Sequence, residues 1–293
     1  MVHKDRRVFG CPYIDFWMGS DRMKATLGLL SISLLVGVLL FIFRPKNIEG
    51  PRAKPRLIKE LDFPYEALSP ALKIAFPNNS NATGPRYDLL KEHPESLDHY
   101  LGLISEIGPR SAPHRFTRRT QRLAYMLNAY TAGILAVIRD ECPIQSVEDP
   151  YFFSGLFWRV SLRVGGELLS LNDIAAEISA LAYGDPKVLL AISRGMKANV
   201  PLQQTAWTPD NLAFGLASLE DQLLASPYTQ RKDQTLILGA PFKWYEHRFH
   251  PSPKQYVAER RPQLTKDIKR VVFADIDAQL DGTCHLSNSK LNE

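Results

Sequence analysis

Arg115, Arg118, Arg119 and Arg122 stand at i, i+3, i+4 and i+7, the spacing that places four side chains on one face of a helix. Like charges on one stripe repel unless solvent or an anion meets them, so the group is a candidate anion-binding surface; a solvated helix start is the plainer alternative. His247 and His250 lie three apart, but Pro251 and Pro253 work against a helix that would aim both at one ion, and no HExxH-type partner is near. No metal site is expected. The three cysteines, Cys11, Cys142 and Cys284, form no CxxC pair. A Cys142–Cys284 bridge is permitted in an oxidising compartment, although nothing in the sequence requires it. Cys142 follows a helix, where the dipole does not lower a thiol pKa, and Cys284 sits beside His285 in a polar tail where adjacent side chains diverge. Neither is expected to be a nucleophile.

The elements that position these groups are legible from periodicity. Leu97, Tyr100, Leu101 and Ile104 follow helical spacing up to Gly108-Pro109. A longer helix is expected over about 117–140, burying Leu123, Leu127, Tyr130, Ile134, Val137 and Ile138. Residues 157–164 alternate into Gly165-Gly166 and 167–170 return, which predicts a β-hairpin with a glycine turn. Ser170-Leu-Asn-Asp173 then opens another helix, with Ser170 or Asn172 as N-cap.

A succession of motifs carries a resemblance. Tyr125-Met-Leu-Asn-Ala-Tyr-Thr-Ala132, Pro143-Ile-Gln-Ser-Val147, Trp158 with Val164-Gly-Gly-Glu-Leu168, Ser170-Leu-Asn-Asp-Ile174, Phe242-Lys-Trp-Tyr245, and Asp277 with Leu280 occur in that order. The order resembles the family known as domain of unknown function 547 over residues 86–281. The resemblance implies an α+β domain with one histidine and two cysteines as its chemistry-capable positions. On this chain those positions are Ala176, Arg194 and Asn199. Alanine neither accepts a proton nor binds a metal, and arginine is no nucleophile at neutral pH.

The same motifs supply the candidate pocket: Asn128, Tyr130, Asp173, Arg194, Asn199, Lys243, Trp244 and Tyr245. Asn128 and Tyr130, two apart on a helix, point to different sides, so one can face a cleft while the other packs. Asp173 is equally suited to capping its helix. Trp244 and Tyr245 suit core anchoring as well as a ligand platform, and Arg194 suits a carboxylate or phosphate held bidentately. No cofactor motif is present.

Placement of charge excludes one function class. The chain of 293 residues is 45% hydrophobic and 23% charged, with a net charge of +5. Residues 1–59 hold 11 Lys and Arg against 4 Asp and Glu, whereas residues 60–293 hold 25 against 27. A slightly acidic domain lacks the cations that neutralise phosphates, so nucleic acid is not an expected partner. The basic excess flanks the uncharged run ATLGLLSISLLVGVLLFIF at 25–43. As a helix this run spans about 28 Å, close to a bilayer core of about 30 Å. Five cations precede it and six follow by residue 59, nearly a tie under the positive-inside comparison; translocation of the long domain favours the amino terminus inside.

These readings together predict a single-pass membrane protein: a flank at 1–24, a transmembrane anchor at 25–43, a basic Pro-rich linker at 44–60, a helix-rich α+β single domain with a small antiparallel β element at 61–281, and a polar tail at 282–293. The domain is expected outside the cytoplasm. Asn-x-Ser/Thr triplets at 78–80 and 81–83 serve as loop markers. Because the three reactive positions of the family pattern are replaced, the expected function is a non-catalytic binding or scaffolding module for a protein partner or a small polar ligand. The alternative is a hydrolase or transferase with a remodelled site for a polar or anionic substrate.

Overall fold

A computed structural model describes residues 46–48, 50–51, 62–77, 84–149 and 155–285. The chain divides into two units, 1–45 and 46–293; the first lies outside the described residues. The expected anchor at 25–43 and the triplets at 78–83 also lie outside them. Among the described residues no helix is long and apolar enough to cross a membrane. The single-span, membrane-anchored architecture and the single-pass localisation drawn from the sequence are therefore corrected: the structure gives them no support.

The described unit is helix-rich with two small sheets. Its first strand, β1 (Lys46–Ile48), falls inside the stretch expected to be only a linker. The short helices α1 (Ser69–Ala75) and α2 (Tyr87–Glu92) lead into α3 (Glu95–Glu106) and the long α4 (Arg119–Glu141). After the one-turn α5 (Leu156–Arg159) come β2 (Val160–Val164), β3 (Glu167–Ser170) and α6 (Leu171–Leu181). The chain continues through α7 (Lys187–Leu190), α8 (Leu212–Ala225), β4 (Gln230–Lys232), β5 (Thr235–Leu238) and α9 (Ala240–Trp244). It closes with α10 (Pro253–Arg260), α11 (Pro262–Thr265) and β6 (Arg270–Phe273).

Helix α4 is the axis of the unit. Every residue from Leu123 to Arg139 is buried, because α3, α6 and the first sheet pack around it and no polar stripe is needed where a helix is covered on all sides. Its one buried cation near the C-terminus, Arg139, is neutralised by Asp98 of α3 at 2.6 Å and by the adjacent Asp140, as burial of a charge requires. Lys91 donates to the Cys142 carbonyl just past the helix end at 2.7 Å, satisfying one terminal acceptor.

The expected hairpin forms, but its first strand starts at Val160, because 157–159, expected to be extended, belong to the helical turn α5. Val164 pairs Glu167 across Gly165 and Gly166, both at positive φ, the geometry that a two-residue turn needs to match strand twist. Strand β1 adds to the other edge of β2 in parallel, Lys46 opposite Val160 and Ile48 opposite Leu162, and Lys46 Nζ bonds Glu141 Oε1 at 2.7 Å. The second sheet, β4-β5-β6, joins an antiparallel to a parallel pair. The β content is therefore two mixed three-stranded sheets, and the single antiparallel element expected from the sequence is corrected to that.

The carboxyl-terminal segment 277–284 is a strap rather than a boundary followed by a free tail. It runs between residues 145–147 and 195–198, then beside 85–87, with isolated bridges Ser146↔Gln279, Met196↔Leu280 and Arg86↔Thr283. It ends in a disulfide between Cys284 and Cys142.

Candidate functional site

Arg194 lies in the irregular segment after α7, and its position is set from three directions. Its own N–H donates to Asn199 Oδ1 at 3.1 Å, and Asn199 N returns to the Met196 carbonyl at 3.0 Å, closing a tight local turn. The next residue, Gly195, has φ +70°, and a Cβ there would sit 2.7 Å from Ile138 Cδ1 of α4. Only glycine combines that left-handed backbone with so close an approach. The strap then holds the far side: Asp281 N donates to the Gly195 carbonyl, and Lys197 N to the Gln279 carbonyl, both at 2.9 Å.

The side chain so placed enters a ring of aromatic groups. Arg194 Cζ is 5.1 Å from the centre of the Phe157 ring and 4.8 Å from that of Trp244, within the range where a guanidinium is attracted to a π face. Phe157 comes from α5 and Trp244 from the end of α9. The phenols of Tyr130, on α4, and Tyr245 complete the ring. Burial pushes both hydroxyls above the usual tyrosine range, while the Arg194 charge pulls them partway back; both are neutral donors at physiological pH. Arg194 acts electrostatically on both phenols.

Among the described residues, Arg194 lacks the carboxylate that five other arginines have. Arg86, Arg110, Arg139, Arg260 and Arg261 each pair with a carboxylate, whereas Arg194 has no carboxylate partner among the described residues. Arg194 also donates a hydrogen bond to the Tyr130 phenol, and stacking against aromatic faces leaves its other N–H groups to meet a carboxylate.

The remaining residues expected in the pocket have other duties. Asn128 is fully buried and forms a two-way pair with the main chain of Trp207: Nδ2 donates to the Trp207 carbonyl and Trp207 N donates to Oδ1, both at 2.8 Å. Asp173 is exposed and belongs to the α6 capping box, accepting from Ser170 N at 2.9 Å and from Ser170 Oγ at 2.6 Å. Lys243 is exposed on α9 and Ala176 is exposed on α6. The structure thus brings together Tyr130, Arg194, Trp244 and Tyr245, with Asn199 as their support, and adds Phe157, which the sequence reading missed. Its only sequence signal was an aromatic pair, Phe157-Trp158, at the start of the expected strand.

The arginine stripe does not form as one face. Arg115 lies in a separate 3-10 turn, Pro113–Arg115, and α4 begins only at Arg119. Arg119 caps the end of α6, donating to the Leu181 and Ala182 carbonyls at 2.6 and 3.1 Å, a favourable place for a cation on the dipole. Arg118 is exposed and borders a cleft with Asp62, Glu66 and Asp210. Arg122 is half-buried on α4.

The disulfide that the sequence merely permitted is formed, with Cα atoms 5.4 Å apart, so neither described cysteine is a free thiol. No group of three or more His, Cys, Asp or Glu side chains that could hold a metal ion occurs among the described residues. Compared with known proteins, the chain matches no family model, no curated protein and no solved structure. The resemblance to the domain of unknown function 547 family is accordingly not supported.

Proposed function

We propose that this chain is a non-catalytic binding module that captures a carboxylate carried on an apolar or aromatic body, with Arg194 as the anchoring cation. The observation that carries the reading is a guanidinium fixed between Phe157 and Trp244 without a carboxylate of its own among the described residues. A carboxylate of the ligand would supply the missing counter-charge, the rings would contact its apolar body, and the neutral phenols would donate to it. A single guanidinium balances one negative charge, which suits a carboxylate monoanion better than a phosphate dianion. Binding rather than turnover is favoured because the described cysteines are joined to each other and Asn128 is committed to Trp207.

Thermal unfolding with a panel of anions tests this. Benzoate at about a hundred times its dissociation constant should raise the melting temperature by about 5–10 °C. Inorganic phosphate and sulfate at matched ionic strength should do far less, and R194Q should abolish the benzoate response. An equal response to benzoate in R194Q would overturn the assignment.

A further inference from the structure

We propose that the Cys142–Cys284 disulfide is a redox lock on the Arg194 site, tight when oxidised and slack when reduced. The proposal rests on the binding role assigned to Arg194 and adds its regulation. The two sides of the site come from distant parts of the chain: Tyr130 from α4, and Arg194 from the segment that the strap holds in place. Cys142 immediately follows α4, and Cys284 ends the strap. The bridge is therefore the covalent link between the helix that carries Tyr130 and the segment that restrains Arg194.

Between those points the strap is held by main-chain bonds, mostly to irregular chain, and by side-chain bonds from Tyr87, Ser146, Lys197 and Tyr228. Towards 195–198 it makes Asp281 N to Gly195 O, Lys197 N to Gln279 O, and Ala198 N to Asp277 O at 3.1 Å. Towards 145–147 it makes Leu280 N to Gln145 O at 2.8 Å and Val147 N to Ala278 O at 3.3 Å. Thr283 exchanges two further bonds with Pro85 and Tyr87. Bonds of this kind are individually weak and open locally before the core does. The core around α4 is built from α3, α6 and the first sheet, and the strap adds Leu280 and Cys284 at its edge. Loss of the bridge thus acts first on the strap, and through Gly195, Met196, Lys197 and Ala198 on the residue next to them.

Both cysteines are almost fully buried, and a reductant's way in is on the Cys284 side. Cys284 borders a cavity of about 430 Å³ shared with Gln145, Ser146, Asp149, Lys197 and His285. A dithiol reductant attacks with one thiolate at Cys284 Sγ, and the Cys142 thiolate departs and takes a proton from water. The second thiol of the reductant then displaces Cys284 as its thiol, and the reductant leaves as its own disulfide. Two electrons and two protons have passed to the protein.

The experiment is calorimetric titration of benzoate into the 293-residue chain, oxidised, reduced with dithiothreitol, and reoxidised, with C284S and R194Q alongside. Circular dichroism fixes the native fraction, since the bridge also constrains the unfolded chain. The lock predicts at least a tenfold weaker affinity in the folded reduced chain and in C284S, restored by reoxidation of the wild-type chain. Equal affinity in oxidised and reduced chains, with R194Q silent, would overturn the lock and leave the Arg194 reading standing. Benzoate binding that R194Q does not alter would remove the Arg194 reading and the lock with it. Global unfolding of both reduced chain and C284S at 10 °C would also overturn the lock, making the bridge a staple of the whole fold.

Discussion

Arg194 reaches Trp244 across more than forty residues of sequence and places its guanidinium carbon 4.8 Å from the ring centre. Trp244 is only half-buried, so this ring is the wall of the site that a substitution can remove with least damage to the core. W244L should weaken benzoate affinity about threefold to tenfold, the size of a partly exposed cation–π contact, with little change in melting temperature. Isothermal titration beside a thermal scan separates the two effects.

The Asn128–Trp207 pair makes the opposite prediction. Replacing Asn128 by Leu leaves a buried N–H and a buried carbonyl of Trp207 unpaired, each a desolvated group without a partner. N128L should lose about 2–4 kcal/mol in urea unfolding. If Asn128 were instead a ligand group, stability would hold and affinity would fall.

Gly195 couples backbone geometry to the site. In G195A a side chain is forced into a left-handed conformation, with its Cβ 2.7 Å from Ile138 Cδ1. The expected cost is about 1–3 kcal/mol, accompanied by weaker benzoate binding because Arg194 is the preceding residue. Urea midpoints together with titration read both.

Asp281, in the strap, supplies a pH dependence. Burial raises its pKa, and Lys197 offsets this only in part. A carboxyl whose native pKa lies above its unfolded value is protonated more readily in the native state, so stability falls as pH rises from the unfolded value through the native one. Above both values the whole penalty is present; below both it is gone. D281N should therefore melt higher than the wild-type chain at pH 7, and the difference should shrink steadily as the pH is lowered to about 3. A difference that does not change with pH would show that ionisation of Asp281 is not its source.

How much of this was legible in the sequence depends on the kind of interaction. Helix Arg119–Glu141 and the hairpin around Gly165-Gly166 could be read because apolar periodicity and turn chemistry are local signals. The Ser170 cap could be read for the same reason. Strands Gln230–Lys232 and Arg270–Phe273 escaped notice; three or four residues leave too little alternation to register. The strap was read as a boundary and a tail because its bonds join irregular segments and leave no periodic trace.

The site was half legible. Tyr130, Arg194, Trp244 and Tyr245 could be named, yet their convergence depends on tertiary packing, and Phe157 was marked only as the start of an expected strand. Asn128 and Asp173 were named for the same pocket because a polar residue in a motif looks alike whether it meets a ligand, clamps a backbone or caps a helix. The arginine spacing misled for a definite reason: it continued a helical pattern back across Phe116 and Thr117, where the chain leaves a 3-10 turn before α4 begins.

The central claim is that one guanidinium anchors a carboxylate. It is tested most directly by titrating benzoate into the wild-type chain, R194K and R194Q at low salt. The account predicts saturable binding to the wild-type chain, at least tenfold weaker binding to R194K, which keeps the charge but loses the two-pronged geometry, and none to R194Q. Wild-type affinity retained in R194Q would contradict it.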